Sequence, residues 1–149
     1  MFIGNYRHTL DDKGRFIMPS KLRKSAGTNE FFLTFNEEDG SLYLFTKHRW
    51  DELEKKLEAE RSFDGNEDDR DFIRTRYYNA AECTLSEKQG RLSIPQHLID
   101  LAQIKKDILI VGLPDRIEIW AIKVWENYDK QRRLRLEARK KCKMAETGE

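Results

Sequence analysis

Cysteine is scarce in this chain: Cys83 and Cys142 are the two among 149 residues. They form no spacing motif, which argues against a disulfide framework. Neither has a flanking His or a CxxC partner, so both read as inert thiols. Apolar runs are short. None approaches the roughly 18 residues of a membrane-spanning helix, and the opening MFIGNYRH lacks the basic start and long apolar stretch of a signal peptide. Net charge is also missing. Twenty-eight basic side chains against 27 acidic leave +1, so bulk charge names no partner. No P-loop, GxGxxG, GxSxG or CxxC is present. His8, His48 and His97 are far apart and lack metal-ligand spacing. These absences read as a cytoplasmic protein with no metal, no cofactor, no small-molecule substrate, no membrane segment and no enzymatic chemistry.

What the chain does have is a core and an uneven distribution of charge. Eight Phe, five Tyr and three Trp accompany an apolar share of 38%, enough for one ordinary domain or two halves sharing a core. Residues 1–29 hold six basic and two acidic side chains, residues 37–69 hold five and twelve, and residues 130–143 hold eight and one. Such asymmetry can build a local positive surface on a neutral protein. Equally, the C-terminal run can be a charged helix face that only keeps the chain in solution.

The informative signal is an internal repeat. Asp11-Asp12-Lys13-Gly14-Arg15 runs on through an apolar position to Pro19 and Leu22, and Glu87-Lys88-Gln89-Gly90-Arg91 runs on to Pro95 and Leu98, at an offset of 76. Downstream, two apolar runs flank Asn36–Gly40, and two more flank Gly112–Arg116. Trp50 and Trp125 follow at an offset of 75. Two copies of one supersecondary unit, completing each other's core, is the economical reading. Each unit predicts a strand, a turn with Gly, and a short return strand forming a hairpin or bent ribbon. A helix opened by proline follows, then two more strands and a helix. Trp50, Leu53 and Leu57 predict a helix over Lys47–Glu60. Ser62–Asp69 reads as a linker, Asp71–Ala81 as a helix, Lys123 onward as a C-terminal helix, and Met144–Glu149 as a frayed end.

An Arg placed directly after a Gly-containing turn projects from a rigid hairpin. Its guanidinium fork fits guanine O6/N7 or a phosphate, and the acid four residues earlier can hold it. Asp11 with Arg15 and Glu87 with Arg91 are therefore either two nucleic-acid contact loops or two locks that each brace a hairpin. Lys13, Lys88, Arg23 and Lys24 lie close in sequence and could supply phosphate contacts, which favours the first reading. A β-ribbon can enter the major groove, so no recognition helix is needed. Asp11 and Glu87 could also act as a glycosidase-like acid–base pair, but nothing in the sequence supplies a substrate cleft beside them.

The opening Met1-Phe2-Ile3-Gly4, the Leu10–Arg15 stretch with Pro19, Cys83, Gly90-Arg91, and the late Val111-Gly112 with Glu118-Ile119-Trp120 resemble the MraZ family. The resemblance covers about residues 1–130 and leaves the basic C-terminal run outside the signature. It implies an α+β, mostly β fold: two AbrB-like repeats forming a swapped-hairpin, double-split β-barrel with outer helices. It places the first repeat at 1–60, a linker and connecting helix at 61–81, the second repeat at 82–128 and a basic helix and tail at 129–149. It implies a nucleoid-associated regulator, a repressor of its own division and cell-wall gene cluster, whose ring of subunits binds short tandem repeats in double-stranded DNA. The family's D-x-x-x-R positions fall on Asp11 and Arg15, then on Glu87 and Arg91, where Glu departs from the usual Asp. Arg15 and Arg91 would read the DNA, Asp11 and Glu87 would orient them, and Gly14 and Gly90 would allow the turns. Lys13, Lys88, Arg23 and Lys24 would hold phosphates. AbrB-like folds also serve as oligomeric, antitoxin-like scaffolds for protein partners, which is the alternative reading.

Overall fold

The computed structural model describes residues 1–61 and 64–147. The first half runs β1 (Gly4–Thr9), β2 (Arg15–Ile17), α1 (Ser20–Ala26), β3 (Glu30–Asn36), β4 (Ser41–Thr46) and α2 (Lys47–Glu60). After α3 (Glu67–Tyr78), the order repeats as β5 (Ala81–Thr84), β6 (Arg91–Ser93), α4 (Gln96–Leu101), β7 (Asp107–Gly112), β8 (Ile117–Ala121) and α5 (Ile122–Glu146). The fold is α+β with two repeated units and outer helices. Helices hold more residues than strands, contrary to the mostly-β expectation, largely because α5 alone runs 25 residues.

Six strands form one antiparallel sheet in the order β1-β7-β8-β4-β3-β5, and β2 pairs with β6 in a separate ribbon. The expected local hairpin between the first strand and its return strand therefore does not form. β1 crosses to β7 of the other half, β5 crosses to β3, and the two return strands pair with each other. The exchange is symmetric. In the ribbon, Phe16 faces Leu92 with Arg15↔Ser93 and Ile17↔Arg91 on either side. At the centre of the large sheet, Tyr43 faces Glu118 with Leu42↔Ile119 and Leu44↔Ile117 on either side. A pseudo-twofold axis through these two pairs relates the halves.

Strand alternation sorts the side chains into layers. Phe31, Leu33, Leu42, Leu44, Ile108, Ile110, Ile117 and Ile119 face a single core closed by Phe16 and Leu92 of the ribbon, Leu22 of α1 and Leu98 of α4. Leu92 is fully buried, so Leu92→Ala would cost about 2–5 kcal/mol by opening a cavity under the ribbon. The alternate residues face the other way, against α2, α3 and α5. Phe32 stacks on Trp50 of α2 with ring centres 5.1 Å apart, and Trp120 packs at 5.0 Å on Trp125 and 4.8 Å on Tyr128 of α5. On this side Glu118 is buried yet satisfied: it accepts from Arg116 Nε and Nη2 at 3.0 and 2.8 Å and from Trp120 Nε1 at 3.0 Å. Complete pairing is what lets a carboxylate sit in a sheet interior.

Two boundaries differ from the sequence expectation for local reasons. α3 begins at Glu67, inside the expected linker, because the Asn66 side chain accepts from the Asp69 amide. Glu67, Asp68 and Asp69 also complement the positive end of the helix. The rest of that linker includes residues 62 and 63, which lie outside the described residues. α5 stays helical through Glu146 rather than fraying from Met144; the end of the expected frayed segment, 148–149, is also outside.

Candidate nucleic-acid interface

The first loop is built around one carboxylate. Asp11 Oδ1 accepts from the Lys13 and Arg15 amides, each at 2.9 Å, and Oδ2 accepts from Arg15 Nε at 2.8 Å. The Gly14 amide donates to the Asp11 carbonyl at 3.0 Å, and Gly14 takes a φ of +72°, a conformation open to glycine at little cost. The Arg15 amide first, then the Arg15 side chain and the Lys13 amide, hold the Asp11 carboxyl below the usual aspartate range. Only Nε of Arg15 is engaged; neither Nη has a partner among the described residues. Asp11 thus fixes the guanidinium from behind and leaves its forked end free.

The second loop is closed by the same main-chain hydrogen bond and has a different lock. The Ser86 amide donates to the Arg91 carbonyl at 2.9 Å, just as the Asp11 amide donates to the Arg15 carbonyl at 2.9 Å. The Arg91 amide donates to Ser86 Oγ at 2.9 Å. Asp11 therefore corresponds to Ser86, and the loop is one residue longer than the first. This corrects the expectation that Glu87 orients Arg91. The inserted residue carries Glu87 past the locking position, and no hydrogen bond or ion pair joins it to Arg91 among the described residues. The signal was in the sequence: Thr9-Leu10-Asp11 aligns with Thr84-Leu85-Ser86, not with Leu85-Ser86-Glu87.

Each loop is braced by the opposite half. The Met18 amide donates to the Gly90 carbonyl and the Ile94 amide to the Gly14 carbonyl, both at 2.9 Å. Gly14 packs against Ile99 of α4, and Gly90 lies under the Arg23 guanidinium of α1, so close that a Cβ there would fall 2.1 Å from Nη1. Arg23 is thereby delivered to the second loop, which sequence adjacency to the first could not reveal. Lys13, Lys24 and Lys88 are exposed.

The ribbon brings these loops to one surface. Phe16 and Leu92 point into the core, so Arg15, Ile17, Arg91 and Ser93 share the opposite, outward face. Arg15 and Arg91 sit diagonally across it, at a Cα spacing of roughly 7–8 Å for such pairs. Two arginines related by the pseudo-twofold, flanked by lysines and standing on a two-stranded ribbon, form a surface suited to phosphates and base edges. Elsewhere, burial pushes the Cys83 thiol up to about 11, which keeps it protonated at neutral pH. His48 lies 2.9 Å from Glu52 on α2. Among the described residues no cluster could hold a metal ion, and no helix is long and apolar enough to cross a membrane.

Fold and surface together define a class: a two-repeat protein with exchanged strands that presents paired arginine loops on a β-ribbon. The profile described as "MraZ protein, putative antitoxin-like" matches residues 1–73 and 77–144. The match extends well beyond residue 130 and takes in the whole basic run, 130–143, that the sequence resemblance left out. Similar proteins include the "Transcriptional regulator MraZ" of Natranaerobius thermophilus, 40% identical over 132 residues and 88% of each chain. The protein of the same name from Clostridium acetobutylicum is 42% identical over 129 residues and 87% of each chain. The chain belongs to the MraZ family.

Proposed function

We propose that this chain is a DNA-binding transcriptional regulator whose ribbon face, carrying Arg15 and Arg91, contacts double-stranded DNA. The observation that carries the reading is the Asp11–Arg15 geometry. A carboxylate that merely braced the loop would need only its hydrogen bonds to the main-chain amides. Here it also fixes Nε and leaves both Nη groups outward, beside a second Arg on the same exposed face. In this reading Lys13, Lys88, Arg23 and Lys24 contact phosphates, and Glu87 lies at the edge of the second contact without orienting it. The ribbon and the large sheet form the two parts of a split barrel.

The finer reading follows the family: a repressor of its own division and cell-wall gene cluster, acting at tandem repeats through a ring of copies. One ribbon supplies few contacts. Linking several copies makes later contacts intramolecular, and avidity can exceed single-site affinity by roughly 10²–10⁴. The antitoxin-like description of the family profile supports the second reading, a protein-binding scaffold.

A titration of wild type and Arg15→Ala on duplex DNA from upstream of the chain's own coding sequence, against a scrambled duplex at two salt concentrations, separates the two. Binding that is selective and salt-sensitive, and that weakens by about 1–3 kcal/mol per engaged site in the variant, supports DNA reading. Equal, weak binding of both proteins to both duplexes would leave Asp11–Arg15 as a structural lock and favour the scaffold.

A further inference from the structure

The distal half of α5 takes no part in the fold. Every residue from 133 to 147 is exposed, a helical stretch roughly 20 Å long. Arg132 and Arg133 are held by Asp129 at 2.6 and 3.0 Å. Beyond them, Arg139, Lys140, Lys141 and Lys143 have no carboxylate partner among the described residues. Leu134 and Met144 are 54% and 59% exposed on the same stretch. Like charges three and four residues apart, such as Arg135/Arg139, Arg139/Lys143 and Lys140/Lys143, destabilise an isolated helix. So short an uncovered stretch is marginal on its own. Both facts call for a partner that is acidic and partly apolar.

The matching surface is on the chain itself, at the other flank of the sheet. Glu37, Glu38, Asp51, Glu58, Glu67 and Asp68 have no ion-pair partner among the described residues. Beside them α3 exposes Phe72, Tyr77 and Tyr78, at 41%, 39% and 86%. A cavity of about 430 Å³ opens between α3 and the β3–β4 turn, lined by Phe35, Phe45, Leu53 and Phe72 and by Glu37 and Glu38. Arg76 and Arg116 also line it, but Arg116 is neutralised by Glu118 and Asp115. Within one chain the two surfaces do not meet: α5 packs over β7 and β8, whereas α2 and α3 pack over β3 and β4. The proximal part of α5, through Trp125 and Tyr128, and helices α2 and α3 pack on the face of the sheet turned away from the core that the ribbon closes.

We propose that the distal half of α5 docks, by its basic and apolar side chains, on the acidic and aromatic α2–α3 face of a second copy of this chain. Each copy then gives one helix and receives one. The proposal deepens the assembly part of the reading above by naming the surfaces, and it does not depend on DNA binding.

Two charge-reversed full-length variants test it by molar mass in solution, without DNA: Arg139→Glu/Lys140→Glu/Lys143→Glu, and Glu37→Lys/Glu38→Lys/Glu58→Lys. Circular dichroism checks that each is folded. Wild type should sediment as an assembly, each folded variant alone as smaller species, and an equimolar mixture should recover the wild-type mass, since the reversed helix of one then meets the reversed face of the other. Wild-type mass in either variant alone, or no recovery on mixing, overturns the proposal while leaving assembly intact. A helix variant that keeps its mass but loses affinity for DNA of any sequence also overturns it and makes α5 a phosphate-binding arm. A wild type that sediments at 17.8 kDa, one chain, ends both this proposal and the assembly reading.

Discussion

The two loops are closed and braced by equivalent main-chain hydrogen bonds and differ in length and in the side chain that locks them. In the first, Asp11 makes two amide bonds and one guanidinium bond. In the second, the Ser86 hydroxyl accepts one hydrogen bond from the Arg91 amide, and no hydrogen bond or ion pair holds the Arg91 side chain among the described residues. The pseudo-twofold thus preserves the hydrogen bond that closes each loop and the cross-brace at each glycine carbonyl. It does not preserve the preorganisation of the arginine. A tethered guanidinium loses less rotamer freedom on binding than a free one. Arg15 is therefore the stronger candidate for a specific contact, and Arg91 for a more adaptable one.

The largest contrast lies in the glycines. Both have positive φ, +72° at Gly14 and +64° at Gly90, so alanine at either brings left-handed strain of about 1–2 kcal/mol. Their surroundings then separate them. A Cβ at Gly14 meets the Ile94 carbonyl at 3.2 Å and buried Ile99 at 2.9 Å, neither easily displaced, which adds an overpacking cost of about 1–3 kcal/mol. A Cβ at Gly90 meets the flexible end of Arg23, which can swing aside. Urea unfolding should therefore show Gly14→Ala as the more destabilised variant. Gly90→Ala, by displacing Arg23, should also weaken DNA binding at the second loop. Equal stability losses would mean that the two cross-braces are equally rigid.

A smaller effect distinguishes the locks themselves. In Asp11→Asn the remaining carbonyl oxygen can still accept an amide, but the side-chain nitrogen cannot accept from Arg15 Nε. Ser86→Ala removes a single bond, with a net cost of about 0.5–1.5 kcal/mol. Asp11→Asn should reduce DNA affinity by most of what Arg15→Ala removes, and adding it to Arg15→Ala should change little further, since the two act as a unit. Ser86→Ala should leave the contribution of Arg91 nearly intact. The check is a double-mutant cycle on each loop, measured as affinity. Additive losses at Asp11 and Arg15 would show that the ion pair does not prepare the arginine.

Much of this arrangement could be read in the sequence, because it rests on local chemistry. Asp-Asp-Lys-Gly specifies a turn, Pro19 and Pro95 immediately precede the short helices, and the Trp50–Leu57 stripe marks α2. The offset between Arg15 and Arg91 exposed the duplication. What the residues alone did not make legible depended on long-range pairing, and the exchange of hairpins was an expectation only of the family resemblance. A three-residue strand such as Arg15–Ile17 has no pattern that names its partner, so a local hairpin was the default, whereas the buried pair Phe16 and Leu92 joins it to β6. The role given to Glu87 failed because a one-residue insertion is invisible when spacing is counted backward from Arg91, yet it decides which side chain reaches the amide. Arg23 over Gly90 follows from the same exchange of halves.

The smallest expected difference between the loops is in their response to acid. The Asp11 carboxyl sits below its ordinary value near 3.8 in the folded chain, so its ionised form favours folding. That contribution is complete above the ordinary value, shrinks as pH falls below it, and is gone once pH passes beneath the folded-state value. The melting-temperature gap between wild type and Asp11→Asn should therefore be constant from pH 8 to pH 5 and close only below about pH 4. Ser86 carries no titrating group, so the gap between wild type and Ser86→Ala should not depend on pH over the same range. A gap for Asp11→Asn that closed instead near neutral pH would place the stabilisation on some other group, and the carboxylate would no longer be what sets the first loop apart from the second.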